Sequence, residues 1–291
     1  MARRHLRLRH LRPGAWVRIG ESPPSTPKAH MTHSTNVLVP TSPEEAVASF
    51  GDGGGITVVA GGTIVMPELS SGRLRPERAL LLAKAGLAGI TSENGTVRIG
   101  ATTPVLALVG ATPEPLSTFA AYVGDYEIRS QATIGGNVCA APAAESPRGD
   151  LQAPLLALGA RVRSAGAGGE RTESIDDFLA GGEDRLVLEL EVDQPTRGAA
   201  AALGRPHAHN YTIMAVAAAE GADGVLVAVS GAGPRAQRLP SVEQALAGGA
   251  DAAGAAAGAA ADVSPHDDAL ASAWYRSTML PRLVEQALGR L

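Results

Sequence analysis

Two glycine pairs carry the most chemistry in this 291-residue chain. Gly61-Gly62 is preceded by Ala60 and followed by Thr63 and Ile64, and Gly135-Gly136 lies between Thr133-Ile134 and Asn137. Glycine lets a backbone approach a ligand closely and turn through positive φ, so that successive N–H groups can converge on a phosphate. The Thr63 and Thr133 hydroxyls and the Asn137 amide add further hydrogen-bonding groups. One such pair is an ordinary turn; two, each beside a threonine, fit a diphosphate gripped from both sides by the amides of both turns. Other nucleotide signatures are missing. No Gly-x-x-x-x-Gly-Lys-[Ser/Thr] occurs, which excludes a P-loop enzyme. Gly51-Asp52-Gly53-Gly54-Gly55 precedes its strand, whereas a Rossmann loop comes after one, so it reads as a linker.

The elements around the pairs have an alternating rhythm. Residues 36–39 predict a strand, and Ser42-Pro43-Glu44-Glu45 opens a helix that runs to residue 50: a cap, proline at the first position, then acids. The β-branched run 56–60 is a strand feeding the first glycine pair. A second unit holds a strand at 96–99 and helices near 104–109, 116–123 and 151–158. The character changes near residue 185. Residues 186–192 and 225–230 read as strands, 212–219 as a buried helix, 247–261 as a loop or frayed helix, and the last 25 residues as an amphipathic helix or helix pair. A domain boundary is expected between about 185 and 195.

Composition narrows the function classes. No apolar run nears the roughly 18 residues of a membrane span. One cysteine, Cys139, excludes a disulfide scaffold, a cysteine zinc site and an iron–sulfur cluster held by this chain alone. The net charge of −4 argues against nucleic acid as the main partner. Residues 1–30 differ, with seven basic side chains and one acid, and Pro23, Pro24 and Pro27 break any continuous helix. Without an apolar stretch after the arginines, they read as a basic, disordered extension, with Met31 a candidate start.

The phrase Ile128-Arg129-Ser130-Gln131-Ala132-Thr133-Ile134-Gly135-Gly136-Asn137, with Ala60-Gly61-Gly62-Thr63, resembles the FAD-binding medium subunit of the molybdenum hydroxylases, the xanthine dehydrogenase and carbon monoxide dehydrogenase family. Arg98-Ile99-Gly100-Ala101-Thr102-Thr103 is similar to the family's strand and turn between the two loops. The segment from Asp150 to Ala160 is similar to the family's stretch after the second loop, and Leu203-Gly204-Arg205 and Ala273-Trp274-Tyr275-Arg276 to landmarks of its C-terminal domain.

The resemblance implies an α+β flavoprotein: a FAD-binding domain of two α/β subdomains at 31–185 and a smaller domain with an antiparallel sheet and helices at 195–291. It implies that Ala60, Gly61, Gly62, Thr63 and Ile64, with Thr133, Ile134, Gly135, Gly136 and Asn137, cradle the diphosphate of non-covalently bound FAD. An acid would accept from the flavin sugar hydroxyls; counting back from Leu155 points to Asp150, counting forward from Asn137 to Glu145, and Asp150 is preferred. It further implies a cytoplasmic, bacterial oxidoreductase complex, a dimer of heterotrimers. There a large subunit holds the molybdenum cofactor, a small one holds two [2Fe–2S] clusters, and electrons reach FAD here before leaving to an external acceptor. The alternatives are a free-standing FAD-dependent oxidoreductase of related fold, against which the 3% aromatic content weighs, and a flavin-free interaction protein. The chain departs from the family at Ile64, where an acid is common, at Ala202, in place of a lysine, and at Pro206, in place of a second arginine.

Other reactive side chains have plainer readings. His207 and His209 are expected to be a solvated or hydrogen-bonded pair rather than metal ligands, and no metal site is expected. No histidine lies between His33 and His207, so the FAD-binding half has no donor for a histidyl–flavin bond. Cys139 is expected as a small buried filler, with a reactive thiol as the alternative. Arg129 is expected to be structural rather than catalytic.

Overall fold

Ser42, Pro43, Glu44 and Glu45 do start a helix, Pro43–Phe50, and that helix joins the first two of three sheets. The Ser42 hydroxyl accepts from the Glu45 amide at 3.2 Å, and the Glu45 carboxylate accepts from the Thr41 amide at 2.7 Å. The computed structural model describes residues 35–140, 149–181, 184–204 and 212–291. The basic extension, Glu145, Arg205, Pro206, His207 and His209 lie outside the described residues.

The first sheet is parallel, in the order β1 (Asn36–Leu38), β3 (Arg78–Leu81), β2 (Ile56–Val59). The second is antiparallel and five-stranded: β4 (Ile90–Glu93), β5 (Thr96–Gly100), β8 (Leu186–Asp193), β6 (Arg161–Gly166), β7 (Gly169–Ser174). Ala46 and Phe50 of the first helix pack between them, against Leu80 on one side and Ala165, Leu186 and Leu188 on the other. One face of the second sheet buries Val97, Ile99, Val162 and Leu190. The opposite face carries Arg98, Glu191, Arg161 and Asp193 in an ion-pair row with contacts of 2.9–3.3 Å. These pairs are partly exposed, and each is worth at most about 1 kcal/mol.

The third sheet is antiparallel, in the order β12 (Gln237–Arg238), β11 (Gly224–Ser230), β10 (Thr212–Gly221), β9 (Arg197–Gly204). One face packs on helix Gln152–Ala157, and the other lies under helices Pro240–Ala247 and Ala273–Leu288. The core around Phe119, Leu151 and Leu155 extends to Ala215, Ala217 and Ala228, so it is continuous across residue 195. Arg276 of the landmark is buried in this region, donating to Asp268 at 2.6 Å and to the carbonyls of Ile213 and Gly231.

Residues 212–219 are a strand, not the expected helix. Ala215, Ala217 and Ala219 face one core, and Met214, Val216 and Ala218 face the other. A strand buried on both faces shows no alternation, and its alanines read as helix until pairing with β9 and β11 decides the matter. Within 247–261 a short helix, Ala252–Ala256, and a 3-10 turn, Ala259–Asp262, form because Ala255, Ala256 and Ala259 are buried against helix Ala273–Leu288. Among the described residues no helix is long and apolar enough to cross a membrane.

Candidate functional site

The first glycine pair comes after β2 and leads into helix Val65–Ser70. Gly62 has φ +74°, a left-handed conformation that favours glycine, and its carbonyl accepts from the Met66 amide at 2.8 Å. The amides of Gly61, Gly62, Thr63 and Ile64 have no protein acceptor among the described residues. Four consecutive open amides between a strand and the start of helix Val65–Ser70 are donors that an anion could engage.

The second pair is built differently. Thr133 caps helix Ile134–Val138, its hydroxyl accepting from the Gly136 amide at 3.2 Å. The other amides are also engaged: Ile134 to the Thr103 carbonyl at 3.1 Å, Gly135 to the Ala101 carbonyl at 2.9 Å, and Asn137 to the Thr133 carbonyl at 2.9 Å. Of the second turn only the Thr133 amide has no acceptor among the described residues, so convergence of the Gly135 and Gly136 amides with those of the first turn is not what the structure contains. The Ile134 and Gly135 amides anchor the second turn to the residues just after β5, and the Gly136 and Asn137 amides bond to Thr133 within the turn. A Cβ at Gly135 would sit 2.8 Å from the Ala101 oxygen, so glycine is needed there for packing.

The two turns touch. A Cβ on Gly61 would overlap the Gln131 carbonyl oxygen and lie 2.8 Å from its carbon and 3.0 Å from the Ala132 Cα. The open amides are thus held against the rigid end of the second turn.

Asp150 joins the same neighbourhood through side-chain staples. The Asn137 Oδ1 accepts from the Leu151 amide at 2.8 Å, and the Gln152 Nε2 donates to the Val138 carbonyl at 2.8 Å. The Asp150 Oδ1 is buried without a partner. Burial pushes its carboxyl up to about 7, and a hydrogen bond with Thr212 partly offsets that rise. A buried acceptor with no donor of its own fits a ligand hydroxyl. Sequence reasoning did not find Thr212 or Gln152, because neither stands in a motif and both act through the tertiary fold.

Several other side chains singled out by the sequence have plainer surroundings. Arg129 donates to the carbonyls of Val123 at 3.0 Å and Gly124 at 2.8 Å, closing the end of helix Leu116–Tyr122, which is a structural role. Cys139 is exposed rather than buried, because it caps the end of helix Ile134–Val138 while Val138 turns into the core. Ile64 precedes helix Val65–Ser70 with no side-chain cap, and Ala202 pairs with Ala215 in the third sheet. No cluster of three metal-ligating side chains occurs among the described residues.

Residues 32–192 match the family described as the FAD binding domain in molybdopterin dehydrogenase. The 6-hydroxypseudooxynicotine dehydrogenase complex subunit alpha of Paenarthrobacter nicotinovorans is 30% identical, over 88% of this chain and 94% of that one. The carbon monoxide dehydrogenase medium chain of Hydrogenophaga pseudoflava is 29% identical, over 86% and 94%. A solved carbon monoxide dehydrogenase from Hydrogenophaga pseudoflava, lacking the Mo-pyranopterin moiety of its cofactor, superposes with TM-score 0.77 at 26% identity, over 88% of this chain and 96% of that one.

Proposed function

The chain belongs to the family of FAD-binding subunits of molybdenum hydroxylases, and from that premise we propose that it holds FAD between an iron–sulfur partner and an external electron acceptor. The observation that carries this reading is the run of open amides at Gly61, Gly62, Thr63 and Ile64, braced against the second glycine turn. The residues fit the cofactor. Those amides would donate to the diphosphate, whose charge meets no lysine or arginine in either turn and so relies on backbone dipoles. The Thr133 oxygen already accepts from Gly136, which leaves its hydrogen to donate. Ile134, Gly135 and Asn137 keep the second turn rigid, and Ala60 carries β2 into the first. Asp150 would accept from a flavin sugar hydroxyl through its unpartnered Oδ1.

When bound, FAD supplies redox chemistry that takes up two electrons and can release them singly or as hydride. The protein's part is to fix the ring where a partner's clusters can reach it. The large partner would carry the molybdenum cofactor and the small one the [2Fe–2S] clusters, in a dimer of heterotrimers in the cytoplasm. The lone cysteine supports this division of labour, since this chain cannot ligate a cluster by itself. Residues 31–185 and 195–291 would be its FAD-binding and C-terminal domains. Co-purification with untagged partners, with flavin, iron and molybdenum analysis of the product, tests the reading. All three should be present in the complex, with flavin alone on the isolated chain; a complex whose flavin resides on another subunit would refute it.

A further inference from the structure

Ser230, the last residue of β11, is 3% exposed, and its hydroxyl has no hydrogen-bond partner among the described residues. An unmatched buried hydroxyl costs stability, so its place at the end of a strand calls for a reason. Ser230 pairs with Ala215 of β10 and shares its face with Ala228, so it looks toward the core that holds Leu151 and Ala153. The backbone beside it is pinned. The buried Arg276 donates to the Gly231 carbonyl and to the Ile213 carbonyl, the latter at 2.9 Å.

The course of helix Gln152–Ala157 directs Asp150 to the same end of the strand. A Cβ on Gly159, just past that helix, would lie 3.7 Å from the Leu226 Cδ1, near the start of β11. The helix also packs on β12, which pairs with Ala228 and Val229. Followed back from Gly159, it therefore runs from Leu226 toward Ser230. The lengths agree: about 14 Å from Gly159 back to Asp150 at the helical rise, and about 13 Å from Leu226 to Ser230 along a strand. Each of the two residues there carries a buried oxygen without a partner, Oδ1 of Asp150 and Oγ of Ser230. A carboxylate oxygen only accepts, whereas a hydroxyl can donate and accept, so the two together match a ligand with neighbouring hydroxyls. We propose that Ser230 is a further cofactor-binding residue, its Oγ hydrogen-bonding a hydroxyl of the FAD sugar chain beside the one that Asp150 takes. The third sheet thereby contributes to the cofactor site, although both glycine turns lie before it in the chain. The inference rests on the FAD reading above.

The test uses the full chain freed of flavin, with its Tm measured before FAD is added and the Kd then measured by flavin fluorescence. Ser230→Ala removes the hydroxyl and nothing else. Without FAD the variant should melt at least as high as wild type, and by roughly 2–4 °C higher where the lost group was unmatched. Its Kd for FAD should nevertheless rise about fivefold, the loss of one neutral hydrogen bond. A gain in the empty chain joined to a loss in binding is what a hydroxyl reserved for a ligand produces. A hydroxyl that serves the fold, directly or through a buried water, lowers the Tm of the flavin-free variant instead. A wild-type Kd in Ser230→Ala, or a flavin-free Tm below that of wild type, would overturn the role of Ser230 while leaving the flavin reading standing. A wild-type chain that takes up no FAD would overturn the flavin reading and this inference together.

Discussion

Gly61→Ala is the smallest change that separates the two glycine turns. The added methyl would overlap the Gln131 carbonyl oxygen and stand 2.8 Å from its carbon and 3.0 Å from the Ala132 Cα. All of these are backbone atoms, so no side chain can rotate out of the way. Relief requires the turns to part by on the order of 1 Å, and overpacking of this kind costs about 1–3 kcal/mol. For a chain of this size that lowers the Tm by roughly 2–4 °C per kcal/mol. If the diphosphate needs the open amides braced against the second turn, a displacement of this size should weaken FAD about a hundredfold, as comparable misplacements do elsewhere. The assay pairs FAD content after denaturation with the Kd from flavin fluorescence, and the far-ultraviolet circular dichroism monitors folding. Gly181→Ala is the control, because a Cβ there meets nothing within 4 Å. A folded Gly61→Ala chain with wild-type flavin content and Kd would refute the reasoning.

The same geometry predicts three further outcomes. Asp150 titrates at about 7 in the folded chain, above its unfolded value, so its contribution to stability is present at acid pH and is lost as pH rises through 7. In the flavin-free protein, Asp150→Asn should remove a loss on the order of 4 kcal/mol between about pH 4 and pH 8, measured by urea unfolding of both chains; parallel pH profiles would contradict this. Asn137→Leu removes the acceptor of the Leu151 amide, and leaving that buried donor unpaired should cost about 1–3 kcal/mol and reduce retained FAD; unchanged unfolding midpoints would show that the staple is dispensable. Arg129→Met should lower the Tm yet leave the FAD Kd within about threefold, since the lost bonds go to structural carbonyls; a large Kd change at unaltered Tm would place Arg129 at the ligand instead.

The first turn was legible because its requirements are local. Gly62 needs positive φ, and Gly61 comes just after a β-branched strand that delivers it to its neighbour. Ser42-Pro43-Glu44-Glu45 was legible for the same reason, since a cap and its partner lie three residues apart. The second turn was recognisable as a motif, but its bonding was not. Whether the Gly135 amide is open depends on Ala101, far back in the chain, whose carbonyl occupies it. Thr212 stands in no motif, and only the folding of the third sheet brings its hydroxyl near enough to lower the Asp150 carboxyl. β10 misleads for a related reason: alternate residues enter two different cores, so the sequence shows a uniform apolar run. β7 has no apolar side chain to mark it and exists by pairing with β6.

A crystal structure of the full chain with FAD bound tests the central claim most directly. The account predicts the diphosphate within hydrogen-bonding distance of the Gly61, Gly62, Thr63 and Ile64 amides, against the second turn, with the Asp150 Oδ1 accepting from a sugar hydroxyl. FAD lying elsewhere, or a diphosphate that leaves those four amides in solvent, would contradict it.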